Sequence, residues 1–227
     1  MSRCFLMLIA TLGLLSLLVP LSASATVIEA TATPFTGAPL SVLVTIDDGI
    51  DPDPRKLVIS LEVVGDDIGD LRGLFLQVAD ESLLAGMYVS GMDVTDSSFD
   101  ANGVVQVGGG NNLQGGGSPC KCDIGIEFGS SGMGKDDLQT ETFTLSHLSQ
   151  DLDVSIFADQ EFGVRATSVG PIGGGREGSS KLAGIFPVVP EPTTALFMML
   201  GLAGLGAARG QREPQSSGLS GVSGQAS

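Results

Sequence analysis

The sequence predicts an all-β protein: an antiparallel β-sandwich of jelly-roll or immunoglobulin-like Greek-key type, with a signal helix before it and a transmembrane helix after it. Three observations carry this. Short runs alternate apolar and polar residues with period two, the pattern of a strand with one face buried and one wet. Clusters of Gly, Asp, Asn and Pro separate the runs, as turns do. No apolar period of 3.6 residues reaches helical length in the body of the chain before residue 193, so the turns link strands.

In chain order, Thr26–Thr31 is expected as a first, edge strand, and Ser41–Ile46 as a short apolar strand. In Lys56–Val64, Leu57, Ile59, Leu61 and Val63 point one way and Lys56, Ser60 and Glu62 the other. Leu71–Ala79 is more continuously apolar, as central strands can be, and Gly103–Val107 is a shorter run of the same kind. Asp123–Phe128 places Ile124, Ile126 and Phe128 inward, with Asp123, Gly125 and Glu127 toward water. Thr140–Leu145 alternates threonines with Phe143 and Leu145. Asp153–Phe157 and Phe162–Ser168 complete the set, with Val154 and Ile156, then Phe162, Val164 and Ala166, inward. Turns are expected at 47–54, 65–70, 108–119, 129–137 and 171–180.

Both ends differ from this body. Arg3, the apolar run Phe5–Val19 and Ala23-Ser24-Ala25 form the charged, apolar and cleavage parts of a signal peptide, ending at Ala25. Cys4 precedes the apolar run and leaves with it. Near the other end, Pro190-Glu191-Pro192 is followed by the uncharged stretch Thr193–Ala208 and then by Arg209 and Arg212. In a bilayer that stretch satisfies its backbone only as a helix. It reaches about 24 Å against a ~30 Å hydrocarbon core, so it is a short span needing help from its flanks. The arginines place the tail beyond them on the cytoplasmic side.

Pro-Glu-Pro, apolar helix and arginine in this order resemble the PEP-CTERM sorting signal. That resemblance implies cutting near Pro190-Glu191-Pro192 by an exosortase-type membrane protease, so the helix anchors the chain only transiently. The phrases Gly108–Gly117, Asp123–Gly129 and Gly163-Val164-Arg165 are similar to those of PEP-CTERM proteins of unassigned function. The expected domains are a signal peptide (1–25), a secreted β domain (26–186), the sorting signal (187–212) and a disordered tail (213–227), whose Ser/Gly/Gln composition buries too little to fold.

Charge narrows the partners. The chain carries −15 overall, and between Thr26 and Val189 lie 8 basic and 24 acidic residues. Such an excess disfavours nucleic acid and anionic membrane surfaces, and suits divalent cations or neutral polysaccharide.

Four stretches hold candidate sites. Asp47, Asp48, Asp51 and Asp53 share one proline-bearing loop, and Asp66, Asp67 and Asp70 crowd a second. Close carboxylates are either solvated turn residues or weak calcium ligands, and their spacing is not that of an EF-hand. Cys120 and Cys122 close a local disulfide if the backbone turns there; in an extended strand their Cα atoms would stand ~6–7 Å apart. Free or intermolecular thiols and a metal site are the alternatives. Gly129–Asp136 fits the glycine-and-lysine spacing of a phosphate loop, yet Asp136 stands where Ser or Thr is needed, so a turn is the better reading. His147, the lone histidine, reads as a solvated strand end.

No nucleophile, base and orienting acid can be assembled, so no enzyme, catalytic residue or cofactor (calcium apart) is expected. The expected product is an envelope or extracellular matrix protein with a structural or adhesive role, in the exopolysaccharide context the resemblance implies. The alternative is a calcium- or glycan-binding module, with a secreted hydrolase last.

Overall fold

The computed structural model describes residues 26–114, 120–130 and 136–188. The expected signal helix, the transmembrane helix and the tail lie outside the described residues. Among the described residues no helix is long and apolar enough to cross a membrane. The chain divides into two units between Val188 and Val189, and every described strand belongs to the first.

Twelve strands succeed one another among the described residues: β1 (Val27–Gly37), β2 (Ser41–Asp47), β3 (Lys56–Val64), β4 (Asp67–Leu76), β5 (Met87–Gly91), β6 (Val94–Val104), β7 (Gln106–Val107), β8 (Asn111–Asn112), β9 (Cys122–Phe128), β10 (Thr140–His147), β11 (Glu161–Pro171) and β12 (Gly178–Ile185). Ten form one antiparallel sheet in the order β5-β10-β3-β2-β1-β12-β11-β4-β9-β6, and β7 and β8 make a small ribbon of their own.

β1 bends this sheet. Its residues 27–32 pair with β2 and its residues 33–37 with β12, with a register shift between Pro34 and Thr36. The strand hands over from β2 to β12 between Ala32 and Thr33, and the bulge that follows Pro34, a residue with no ladder hydrogen bond to donate, adds local twist. The two halves then face each other. Phe128 on β9 and Phe143 on β10 belong to different halves, yet their rings lie 5.5 Å apart. Met92 and Asp93 join β5 directly to β6, so the two edges of the sheet are neighbours. The all-β, antiparallel expectation is met; the layers are halves of one continuous, nearly barrel-shaped sheet instead of two separate sheets.

The core is what the alternation in the sequence prescribes. Val42, Val44, Ile46, Leu57, Ile59, Leu61, Phe143 and Leu145 are buried in the first half, and Leu74, Leu76, Ile124, Ile126, Phe162, Val164 and Ala166 in the second. Burying one such side chain contributes roughly 1.5–3 kcal/mol.

Several expectations change. β1 is interior, because its two halves use both of its edges. The 65–70 turn is shorter, since β4 starts at Asp67. Asp153–Phe157 is no strand: Asp153 caps a 3₁₀ turn over Val154–Phe157 by accepting from Ser155 N at 2.7 Å. That turn buries Val154 and Phe157, three residues apart, and leaves Ile156 half-exposed. Gly103–Val107 is split between the end of β6 and β7. β5, most of β6 and β12 were not legible as strands.

Candidate functional site

The two halves of the sheet present different outer faces. On the first, register aligns Tyr88 with Ser146 and Lys56, Ser90 with Thr144, Val58 and Asp47, and Thr142 with Ser60, Thr45 and Glu29. This face is made of hydroxyls with a few charges, and nothing described covers its middle rows. On the second half, Gly125 and Gly163 flank Phe75 in register. With no side chains beside it, Phe75 can be roofed by Val104, Val107 and Leu113, which bury it together with Cys122. The β7–β8 ribbon is therefore a cover on that face. Gly125, expected to be wet, is buried beneath Val104 and Val107, and Asp123, also expected to be wet, is buried as well.

A polar group under such a cover must find a partner. Asp123 accepts from Val78 N at 2.8 Å and from Asn102 N at 2.6 Å. Arg72 sits where β4 bulges, since Gly73 opposes Arg165 and Leu71 opposes Ala166. Its buried guanidinium donates to Ser130 O at 2.7 Å and lies 3.9 Å from Glu127 and 3.8 Å from Asp136. Asn111 donates to the Arg72 carbonyl and ties the ribbon to the bulge. Asp136 also accepts from Ser130 N at 2.6 Å, so its carboxylate is engaged by Arg72 and the Ser130 backbone. Residues 131–135 of that loop lie outside the described residues.

Nearby, Asp70 is buried and accepts from Leu138 N at 3.2 Å and Thr167 Oγ1 at 3.3 Å. Burial pushes its carboxyl above the ordinary value. Arg176 grips both oxygens of Asp137 at 2.5 Å, and that hydrogen-bonded guanidinium holds the Asp137 carboxyl down.

In the predicted loop Asp47–Asp53 each carboxylate is engaged by a backbone or cationic donor. Asp47 accepts from Gly49 N and Asp48 from Thr26 N, each at 2.6 Å. Asp51 takes Asp53 N and Lys56 Nζ, each at 3.0 Å, and Asp53 pairs with the Arg55 guanidinium at 2.9 Å. The Asp53 backbone N–H, then Lys56, lowers the Asp51 carboxyl; Arg55 lowers that of Asp53. Among the described residues no group of three or more His, Cys, Asp or Glu is gathered as a metal site would be. Asp66 and Asp67 instead line a shallow cleft of ≈ 400 Å³ with Pro34, Leu40 and Val64.

Cys120 and Cys122 form a disulfide, with Cα atoms 5.1 Å apart, closer than an extended strand would hold them. His147 is only 6% exposed, which corrects the solvated reading. Its Nδ1 accepts from Ser149 N at 3.1 Å and Gln150 N at 2.8 Å, closing the turn after β10. Pro190, Glu191, Pro192, Arg209 and Arg212 lie outside the described residues.

Two polar residues escaped the sequence reading. Arg72 was visible as the one charge in an apolar run. Glu141 was visible by counting back two from Phe143: it shares the inward face of β10 and is buried. Burial first, and Asp93 second, push its carboxyl up to about 7.

Residues 188–212 match the PEP-CTERM protein-sorting motif. No curated protein and no solved structure matches the chain. The motif brings with it export, transient membrane anchoring and processing by exosortase, a membrane protease, on the way to the envelope or extracellular space. The chain thus carries the PEP-CTERM sorting motif over residues 188–212, which supports its being an exosortase substrate.

Proposed function

We propose that the exported β body is a structural or adhesive component of the cell envelope or extracellular matrix, in contact with exopolysaccharide, and that it is not an enzyme. The observation that supports this best is how the buried polar side chains are employed. Asp123, Asp70, Arg72 and His147 all bond backbone groups from loops and strand ends, so the chemistry that could serve a reaction serves the frame. A frame of this kind tolerates an exposed life outside the cell. The test uses the cell that makes the protein, with and without the chain. Loss of the chain is expected to lower the shear needed to strip exopolysaccharide from the cells, and re-expression to restore it. Unchanged retention, with the protein recovered free of polymer, overturns the reading.

A neutral-glycan-binding module is the second reading, favoured by the open hydroxyl rows of the first half and by Tyr88, which is 44% exposed. Aromatic faces and hydroxyl groups are what sugar rings meet. Calcium belongs to this reading through Asp47, Asp48, Asp51 and Asp53. A melting temperature that rises in millimolar calcium, and less so with Asp47, Asp48 and Asp51 changed to Asn, supports it; an unchanged one removes calcium from it.

A further inference from the structure

Arg165 on β11 and Lys181 on β12 oppose each other in register, and Thr36 on β1 opposes Lys181 from the other side. Phe162, Val164 and Ala166 of β11 and Leu182 of β12 are inward, so Arg165 and Lys181 rise from the outer face. Directly opposed residues have Cβ atoms about 4.5–5.5 Å apart, and like charges so placed destabilise a sheet.

This pairing is odd in so acidic a body. Arg55, Lys56, Arg72 and Arg176 each have carboxylate partners. Among the described residues Arg165 and Lys181 have none, although 24 acidic residues lie between Thr26 and Val189. Their partners are neutral. Arg165 Nη1 donates to Ser180 O at 3.0 Å and Ala166 O at 3.3 Å; Lys181 Nζ donates to Asn112 Oδ1 at 3.1 Å and to Gln114 O. These oxygens aim the two cations without neutralising them, and no described acceptor engages Nε or Nη2 of Arg165. Both side chains are half-buried, and burial lowers the pKa of each, with Arg165 lowering that of Lys181 further. Water is thus partly withdrawn from a pair of positive charges that nothing described on the protein neutralises.

The geometry points to an oxyanion-binding site on the outer face of β11 and β12, in which Arg165 and Lys181 bridge one carboxylate, sulfate or phosphate group beside Asn112 and the Thr36 hydroxyl. Guanidinium offers the planar fork that such groups accept, and ammonium adds a point charge. An entering anion also removes the repulsion between the two cations, a gain that a neutral ligand cannot supply. Screening over about 10 Å at 0.1 M salt limits the opposing field of the distant carboxylates. The oxyanion has two sources, a free inorganic ion or the uronate groups of an acidic polysaccharide. The site stands whether or not the body has a matrix role.

The test is calorimetric titration of the full chain in detergent, at fixed ionic strength in sodium chloride, with inorganic sulfate and separately with oligogalacturonate. Sulfate is expected to bind, and Arg165→Gln and Lys181→Gln each to weaken it at least tenfold. Displacement of sulfate by oligogalacturonate assigns the site to a sugar carboxylate; binding of sulfate alone assigns it to a free ion. Should the Gln variants fail to fold, Arg165→Lys keeps the charge and loses the fork, and several-fold weaker binding is expected. No binding of either probe, or equal binding by wild type and a folded variant, overturns the proposal.

Discussion

The outer faces of the two halves of the sheet make the instructive contrast. On the first half, β1, β2, β3, β10 and β5 carry hydroxyls and charges into water, and burial alternates along β2, most of β3 and the start of β10. On the second, β4 and β9 are buried on nearly every residue, and Val104, Val107 and Leu113 lie over Phe75 at their centre. Covering a face changes what a polar side chain there is worth. Asp47, in the open, contributes a local turn contact; Asp123, fully buried, holds the buried Val78 N and the part-buried Asn102 N. Residue type does not decide whether an aspartate is a surface group or a structural clamp; the layer above it does.

The contrast is most exposed at Asp123. Asp123→Ala orphans Val78 N and Asn102 N and is expected to cost about 3–5 kcal/mol, since hydrogen bonds to charged groups contribute about 1.5–3 kcal/mol each. Asp47→Ala is expected to cost less than about 1 kcal/mol. Chemical denaturation of both variants measures the difference, and equal losses would dissolve the distinction between the faces.

A gain of bulk comes next. A Cβ on Gly125 would lie 2.7 Å from Val104 Cγ1, so Gly125→Val is expected to cost about 1–3 kcal/mol by overpacking, and Val104→Ala in the same chain to recover part of it. Thr142→Val, on the uncovered face, is expected to stay within about 0.5 kcal/mol. The same β-branched side chain should therefore read as damage on one face and as neutral on the other.

The seam between the halves gives a pH signature. Glu141 titrates near its ordinary 4.5 when unfolded and at about 7 when folded. Over that interval the folded state binds more protons, so its contribution to stability falls as pH rises from about 4.5 to about 7 and is level outside it. Asp51, Asp53, Asp80 and Asp137 are lowered, and their contribution is lost only at more acidic pH. Glu141→Gln is expected to flatten the fall between pH 4.5 and 7, measured as wild type minus variant by thermal melting. Parallel melting curves for the two proteins would place Glu141 in water.

The smallest effect belongs to the disulfide beside the ribbon. Its ring spans only Cys120 to Cys122, so the loop-entropy gain is below about 2 kcal/mol. Melting with and without a dithiol reductant checks this, and a drop of tens of degrees would mean that the ribbon itself depends on the bond.

The same contrast explains what the sequence could say. β2, β3 and β10 were legible because water on one side imposes alternation, and Lys56–Val64 needed no correction at its ends. On the covered half that rule fails. Counting by two put Asp123 outward, which is right, and therefore wet, which is wrong. The cover consists of Gln106–Val107 and Asn111–Asn112, too short for any period to show. β12, Gly-Ser-Ser-Lys-Leu-Ala-Gly-Ile, has little intrinsic preference for a strand; it exists because β11 precedes it as a hairpin partner and β1 pairs with it from far along the chain. Of the candidate sites, the Asp51 and Asp53 partners were within reach of local reading, since Arg55 and Lys56 stand two to five residues away. The Arg165–Lys181 pair needed the register of two strands, one of them illegible.

The central claim is that an exported β body is sorted by a carboxyl-terminal motif that it then loses. Intact-mass and terminal-peptide spectrometry of the protein recovered from fractionated cells tests this directly. The expected species, in the envelope or medium, begins at Thr26 and lacks Thr193–Ser227. A chain retaining Thr193–Ser227 in the inner membrane, or one found among cytosolic proteins, contradicts it.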